Sequence, residues 1–468
     1  MRDESEAQDV PRSKLKPANE NPWYVLMTLY GEQEGRNIDP ELHEANRKAW
    51  NAWAGQKLSD EICANSAKKA GIEERELSAW GNCGTQLRLK FCEEYSKRNP
   101  NVEKVPGLPE PNMKITCGDS VFSKTVDLRK FVIPSEIDLC SARFEKDAIF
   151  QSTVFLSEAW FSHATFYESA FFNSARFIER AVFYGSMYFK RCDFVEVIFG
   201  SSVEFSYSKF EQGCDFPGAI FEGSASFERC YFEGVRSRKS DAYFYGCNFQ
   251  KPATFRNAVF RDTYPDFAGA ELHEKTSFTA HYDPLEIELD LGLAQRGNTY
   301  WPKKTMQDPE TARETCATIR HILAKQGLPE DEHFFFRREM HFAGQIGSIW
   351  QRLPYLLFGL FSDYGHSIAR PALWLAGLWA FGFVAFWGYL AGCCVPAPLE
   401  AVERPMGAAM GLSFSNLFPL FGFGRTFLAA ELAGLPAVLK VISGFQTVFS
   451  LPLLFFLGLG LRQRFRLR

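Results

Sequence analysis

The sequence predicts a β-solenoid flanked by helices and followed by two hydrophobic helices. Three observations carry that prediction. Phenylalanine is over-represented, with 46 Phe against 10 Trp and 16 Tyr in 468 residues, a ratio too lopsided for ordinary core filling. Apolar residues in the centre recur in steps alternating six and five. A helix needs apolar spacing near 3.6 and a flat strand about 2, so neither fits. Two long stretches toward the far end carry no charge. Hydrophobic residues at 46 % and charged residues at 23 % exclude a wholly disordered chain. With 52 basic residues against 56 acidic the net charge is −4, which gives no general pull toward nucleic acid, and nucleic acid is not an expected partner.

Residues 1–20 are polar and charged, with no apolar segment of the kind a secretory signal needs, and are expected to be disordered and cytosolic. Residues 21–117 read as a helical cap. Asp39, Pro40 and Glu41 make a helix start with proline in the first turn, followed by Leu42, Asn46, Trp50 and Trp53, and Ser59 to Glu61 opens another helix. Trp23, Trp50, Trp53 and Trp80 are expected in a core or against the open first coil of the solenoid, since stacked repeats need capped ends.

The solenoid is assigned to residues 118–280. From Phe122 through Leu128, Ile133, Leu139 and Phe144, and on to Phe232, twenty-one positions obey the six-and-five rule, and their true period is eleven. From Phe144 onward a small or apolar residue stands two places before each, as Ala142, Ala148, Thr153, Ala159 and Ala164 do. Each unit then forms one side of a coil, the large side chain pointing to the axis and the small one sparing room near the corner. Motifs such as ATFYESAFF and AIFEGSASF resemble the Phe-centred variety of the pentapeptide-repeat family. The resemblance implies a right-handed quadrilateral β-helix. If four sides close a coil, residues 22 apart stack at about 4.8 Å, the spacing of paired strands.

After Phe232 the phase slips and resumes at Phe244, Phe249, Phe255 and Phe260. The intervening stretch is read as a loop breaking out of one coil, with Arg236, Arg238 and Lys239 as a candidate basic contact site. From residue 119 to residue 233 the repeats hold 17 Asp or Glu against 11 Lys or Arg. The family includes acidic DNA mimics that bind topoisomerases, which supplies one alternative function. Residues 281–345 read as a helical hairpin linker, with Asp308 opening one arm, Gly327 ending it and apolar faces free to pack on each other or on a membrane.

The remaining residues, 346–468, read as an interfacial segment followed by a membrane module. Residues 371–395 and 441–461 are each uncharged and long enough to cross the roughly 30 Å hydrocarbon core as helix. Residues 405–424 are also uncharged but hold Ser413, Ser415, Asn416, Pro419 and late glycines, which suits a re-entrant connector. Arginines before the first span (Arg337, Arg338, Arg352, Arg370) and after the second (Arg462, Arg464, Arg466, Arg468) put both ends in the cytosol by the positive-inside rule. The closing LGLGLRQRFRLR resembles bacterial membrane-anchored pentapeptide-repeat proteins, implying an inner-membrane location. The connector resembles the pore helix and filter of two-helix potassium channels, with Gly422, Phe423 and Gly424 in the place of the filter glycines. That resemblance implies a pore loop formed by Asn416, Pro419, Gly422, Phe423, Gly424 and Arg425. Pro419, Leu420 and Phe421 replace the family's threonines, and Arg425 replaces its acidic residue.

The twelve cysteines form no CxxC pair and no His/Cys group at zinc spacing, and are expected to be reduced and packed as small apolar residues. No phosphate-binding GKS or GKT loop, nucleophile elbow or dinucleotide fingerprint is present. The expectation is a non-enzymatic, cofactor-free scaffold whose partners are the lipid bilayer, another protein and further copies of itself. A channel-like oligomer is the second reading.

Overall fold

The computed structural model describes residues 15–34, 38–234, 242–281, 300–302, 305, 307–392, 404–423, 426 and 428–465. The chain divides into two compact units, Met1–Phe336 and Arg337–Arg468.

The centre of the first unit is built of strands two or three residues long, from Ile115–Thr116 to Ser277–Phe278, so the solenoid opens slightly before the boundary expected at residue 118. The strands stack in parallel into four sheets, two of eight strands and two of six, each strand pairing with those one coil away. Phe122 lies opposite Phe144, Phe144 opposite Phe166, and Phe166 opposite Tyr188, the 22-residue register expected if four sides close a coil. Rings in one column stack nearly parallel, Phe122 on Phe144 at 4.7 Å and Phe166 on Tyr188 at 4.8 Å. Rings of neighbouring columns meet edge to face, as Phe161 and Phe172 do at 5.7 Å and 86°. Both arrangements place electron-poor ring edges near electron-rich faces and add to the gain from apolar burial.

The alternation of steps has a backbone cause. At each five-residue step the carbonyl of the inward residue accepts from the amide three places on: Leu128 O from Phe131 N at 3.2 Å, Leu139 O from Ala142 N at 3.1 Å, Phe150 O from Thr153 N at 3.1 Å. The third residue of each turn is left-handed, with φ of 60° at Lys130, 55° at Ser141 and 56° at Ser152. A tight turn with positive φ at that position spends one residue fewer at the corner. The next residue points inward beside the corner, where Ala142, Ala164 and Ala175 are fully buried. At two of these positions a polar residue caps a carbonyl of the preceding coil: Thr153 Oγ1 donates to Leu128 O at 2.6 Å and Ser208 Oγ to Phe183 O at 2.6 Å.

Beyond Phe232 the columns continue with wider sequence separation. Phe244 stacks on Phe216 at 5.0 Å, Phe249 on Phe221 at 4.3 Å, Phe255 on Phe227 at 4.9 Å and Phe260 on Phe232 at 5.1 Å. The stacked partners are then 28 residues apart instead of 22, and each ladder continues in its column. The stretch itself, residues 235–241 with Arg236, Arg238 and Lys239, lies outside the described residues.

Both ends of the solenoid are covered. The expectation of disorder through residue 20 is corrected at its end, because Lys16–Pro17 adds a parallel strand against Ser120–Val121 and covers an otherwise open edge. Five helices follow: α1 (Pro22–Met27), α2 (Pro40–Gly55), α3 (Asp60–Ala70), α4 (Glu74–Leu77) and α5 (Trp80–Arg98). The α2 start is capped as its sequence suggests, the Asp39 carboxylate accepting from the amides of Glu41 and Leu42. Tyr24 meets Phe122 edge-on at 5.1 Å, and the Trp50 indole stacks on Phe131 while its N–H donates to Val132 O at 2.8 Å. Helix α3 packs Cys63 and Ala67 over Val132 and Val154 on one outer face. At the far end Trp301 stacks on Phe260 at 5.0 Å. Helix α6 (Pro309–Gln326) binds the last coil through Thr315 Oγ1 to Pro265 O and Gln326 Nε2 to Thr276 O, both at 2.7 Å, and ends at the left-handed Gly327. Helix α7 (Pro329–Ala343) sets Phe335 edge-on against Trp301. The apolar side of the hairpin thus closes the solenoid end.

The second unit holds α8 (Ile349–Ser362), α9 (Ala369–Leu390), α10 (Pro405–Leu417), α11 (Ala429–Ala433) and α12 (Ala437–Phe465). Helices α9 and α12 are long and apolar enough to cross a membrane, yet only 28 % and 22 % of their most apolar windows are buried within the chain. Helix α10 packs Ala409 and Leu412 against Phe386, Leu390 and Leu439.

Candidate functional site: the polar core of the helical unit and the outer face of the solenoid

Asn416 faces the neighbouring helices of its own chain. Its Nδ2 donates to Gln446 Oε1 at 2.9 Å, and its Oδ1 accepts from Ser443 Oγ at 3.1 Å. Gln446 Nε2 in turn donates to Leu378 O at 2.8 Å and to Ser413 Oγ at 2.9 Å, and Ser413 Oγ donates to Trp379 O at 2.7 Å. These side chains are buried and tie α10 to α9 and α12. Gly382 makes room for the cluster, since a Cβ there would stand 1.9 Å from Gln446 Nε2. Between apolar helices such bonds have little competition from water, so they fix register. Of the other residues expected in a pore loop, Pro419 opens a 3-10 turn over Pro419–Phe421 that ends at the left-handed Gly422 (φ +67°), and Phe423 is exposed. Gly424 and Arg425 lie outside the described residues. The polar cluster was half visible in the sequence. Asn416 stood out in an uncharged stretch, whereas Gln446, inside a span, is the partner that reasoning from the connector alone missed.

The solenoid carries a second candidate surface. On the sheet whose inward column contains Phe144, Phe166 and Tyr188, the next residue along each strand turns outward. Tyr167 stacks there on Phe189 at 5.1 Å with rings 8° from parallel. Arg143 donates from Nη2 to Tyr167 Oη at 2.5 Å and lies over its ring, and Lys209 sits over Tyr231 at 5.9 Å. All of these but the buried Arg143 are half-buried, with Met187 among them. The signal was available at the position after each inward ring, where Tyr167 and Phe189 interrupt Glu145 and Glu211 at 22-residue spacing. On the other faces some charges pair with one another: Arg191 Nε lies 2.6 Å from Asp193, Arg180 lies 3.3 Å from Glu204, and Lys114 joins Glu136 and Asp138 at 2.9 and 3.1 Å. At the N-terminal cap, burial works to raise the Asp127 pKa, but His43 Nδ1 at 3.1 Å and the bidentate Arg129 outweigh it and leave the carboxyl below its ordinary value.

The family model "Pentapeptide repeats (9 copies)" matches residues 150–198 and 186–230, inside the stacked ladders. The solenoid is a pentapeptide-repeat domain. No curated protein and no solved structure matches the chain. The pentapeptide-repeat domain turns most of its thiols inward: Cys192, Cys214, Cys230 and Cys247 are buried, and burial pushes Cys247 up to about 12. Cys140, half-buried at a corner, is pushed up to about 11 by burial and by Asp138. Thiols held protonated in this way are poor nucleophiles. Outside the domain Cys92 is exposed, an exception to the expected packing. Among the described residues no group of three or more His, Cys, Asp or Glu is arranged to hold a metal.

Proposed function

We propose that this chain is a non-enzymatic scaffold, anchored in a bacterial inner membrane by α9 and α12, that presents its pentapeptide-repeat domain in the cytosol for contact with another protein. The observation carrying the proposal is the outward surface of the two helices. Leu373 and Val384 of α9 and Val441 and Phe455 of α12 are each more than 60 % exposed, a cost in water that a hydrocarbon environment removes. For the protein contact the support is the row of Tyr167, Met187, Phe189 and Tyr231 on one sheet face. Aromatic and Met side chains are among the types enriched where proteins meet. The interdigitated ion pairs of the other faces argue against a continuous acidic surface of the DNA-mimic kind.

The test has two arms. After an alkaline carbonate wash the full chain should remain in the membrane pellet, and reporters fused after Arg468 and within residues 396–403 should report opposite sides. Cross-linking from position 187 should then trap a protein that Tyr167→Glu/Phe189→Glu releases. Recovery in the carbonate supernatant would overturn the anchor, and trapping insensitive to the double substitution would overturn the contact face.

A further inference from the structure

The turn between α8 and α9 brings unneutralised arginines to one edge of the helical unit. Asp363, Tyr364 and Gly365 are successive left-handed residues, with φ of 53°, 56° and 81°. This conformation folds the end of α8 back toward α12. A Cβ on Gly365 would lie 2.9 Å from Leu459 Cδ2 and 3.3 Å from Gln463 Nε2, so Gly365 can be nothing larger. Gly460 is likewise packed on Ser367 and Ile368. Phe358 meets Phe456 at 5.5 Å, and Phe361 meets Trp374 at 5.2 Å, holding α8 against both long helices. The last turn of α12, with Arg462 and Arg464 on either side of Gln463, therefore lies level with this turn and with Arg370 at the start of α9.

Charge at this edge is unbalanced. The Asp363 carboxylate is engaged twice, by Arg337 Nη1 at 3.2 Å and by Arg370 Nη1 at 3.5 Å. Arg462 and Arg464 are exposed and have no carboxylate partner among the described residues. Beside them α8 exposes an apolar face: Trp350 at 79 %, with Leu353, Leu357 and Leu360 following at helical spacing. Guanidinium groups next to exposed Trp and Leu match a molecule with a phosphate at one end and hydrocarbon at the other.

We infer that this edge is a binding site for anionic phospholipid, the charged headgroup drawn to Arg462 and Arg464 and the acyl chains lying along α8. The inference rests on the membrane reading of α9 and α12 and names the lipid class that their cytosolic end selects. Zwitterionic lipids offer the same hydrocarbon without the net negative charge, so the preference comes from the arginines and weakens with salt.

The experiment uses the purified full chain reconstituted into phosphatidylcholine vesicles containing one-fifth phosphatidylglycerol, floated on a density gradient, gently extracted, and analysed for co-purifying lipid. Phosphatidylglycerol should be enriched several-fold over its bulk proportion, and Arg462→Gln/Arg464→Gln should bring it back toward that proportion, at about fivefold in affinity for each arginine removed. Arg404→Gln, at the connector, should leave the enrichment as in the wild type. Recovery at the bulk proportion, or enrichment unchanged in the double variant, would overturn the site while leaving the anchor standing. A chain that does not float with the vesicles would instead overturn the membrane reading on which the inference rests.

Discussion

The two units hold their parts together by opposite means. In the pentapeptide-repeat domain one contact is copied: Phe161, Phe183 and Phe205 stack at 4.8 Å each, and each of these three rings also meets rings of the neighbouring columns edge-on. In the helical unit the decisive contact occurs once, where Asn416, Gln446, Ser413 and Ser443 bond across three helices. Copying spreads stability over many equivalent positions, and specificity lies in the backbone corners. A single polar cluster in apolar surroundings concentrates specificity in a few atoms. The difference teaches that register is set by corner geometry in one unit and by hydrogen bonding in the other.

The largest expected effect tests the copied contact. Phe183 is fully buried in mid-ladder, and Phe183→Ala should cost about 3–5 kcal/mol. Tyr245→Ala, at a 59 % exposed position, should cost little. Thermal unfolding of the purified protein followed by circular dichroism compares them, and equal losses would mean that the ladder is not the stabilising element.

Next comes the single cluster. Gln446→Leu should destabilise the helical unit by about 1–2 kcal/mol in a detergent-unfolding titration, the range for polar contacts between membrane helices. Gly382→Ala should be as harmful alone, because its Cβ meets the Gln446 amide, and nearly silent in a Gln446→Ala background. Additive losses would show that Gly382 serves some other contact.

A smaller gain is expected at the corners. Ser152 is left-handed, and no hydrogen bond of its side chain appears among the described residues. Ser152→Gly relieves that strain, partly offset by the freer unfolded chain, for a net gain of about 0.5–1 kcal/mol. A loss on denaturation would contradict the corner account of the five-residue step.

The smallest effect is confined to acid. The folded-state pKa of Asp127 is depressed, so its contribution is complete above the ordinary carboxyl value and is lost as pH falls through the lowered one. The unfolding temperature of the wild type should therefore fall in acid more steeply than that of Asp127→Asn. Parallel curves would remove this contact from the account of how the N-terminal cap is held.

Much of the first unit was legible because repetition multiplies a weak signal. One Phe says nothing, whereas twenty-one positions on one rule leave no helix or flat strand to consider. The return of the columns at Phe244 to Phe260 was legible too, since these residues resume the same spacing. The strand Lys16–Pro17 was not, because a two-residue strand at a sheet edge has no period and takes its conformation from Ser120–Val121. Asn416 was noticed as polar in an apolar stretch, but its direction was not readable: a re-entrant loop and a helix docked on its neighbours have the same composition.

The sequence by itself determined that the centre is a coil of short sides, because a side-chain period of eleven with a small residue two places before each large one fits neither a helix nor a flat strand, and the resemblance of its repeats supplied the four sides. It determined the two long apolar helices for the same kind of reason, since length and lack of charge are local properties. The tertiary structure alone decided which polar groups meet. Gln446 lies thirty residues from Asn416 and pairs with it because Gly382 leaves the space and no water competes for the bond. It also decided which outward residues form a surface, because Tyr167 and Phe189 become neighbours only when a full coil has closed between them.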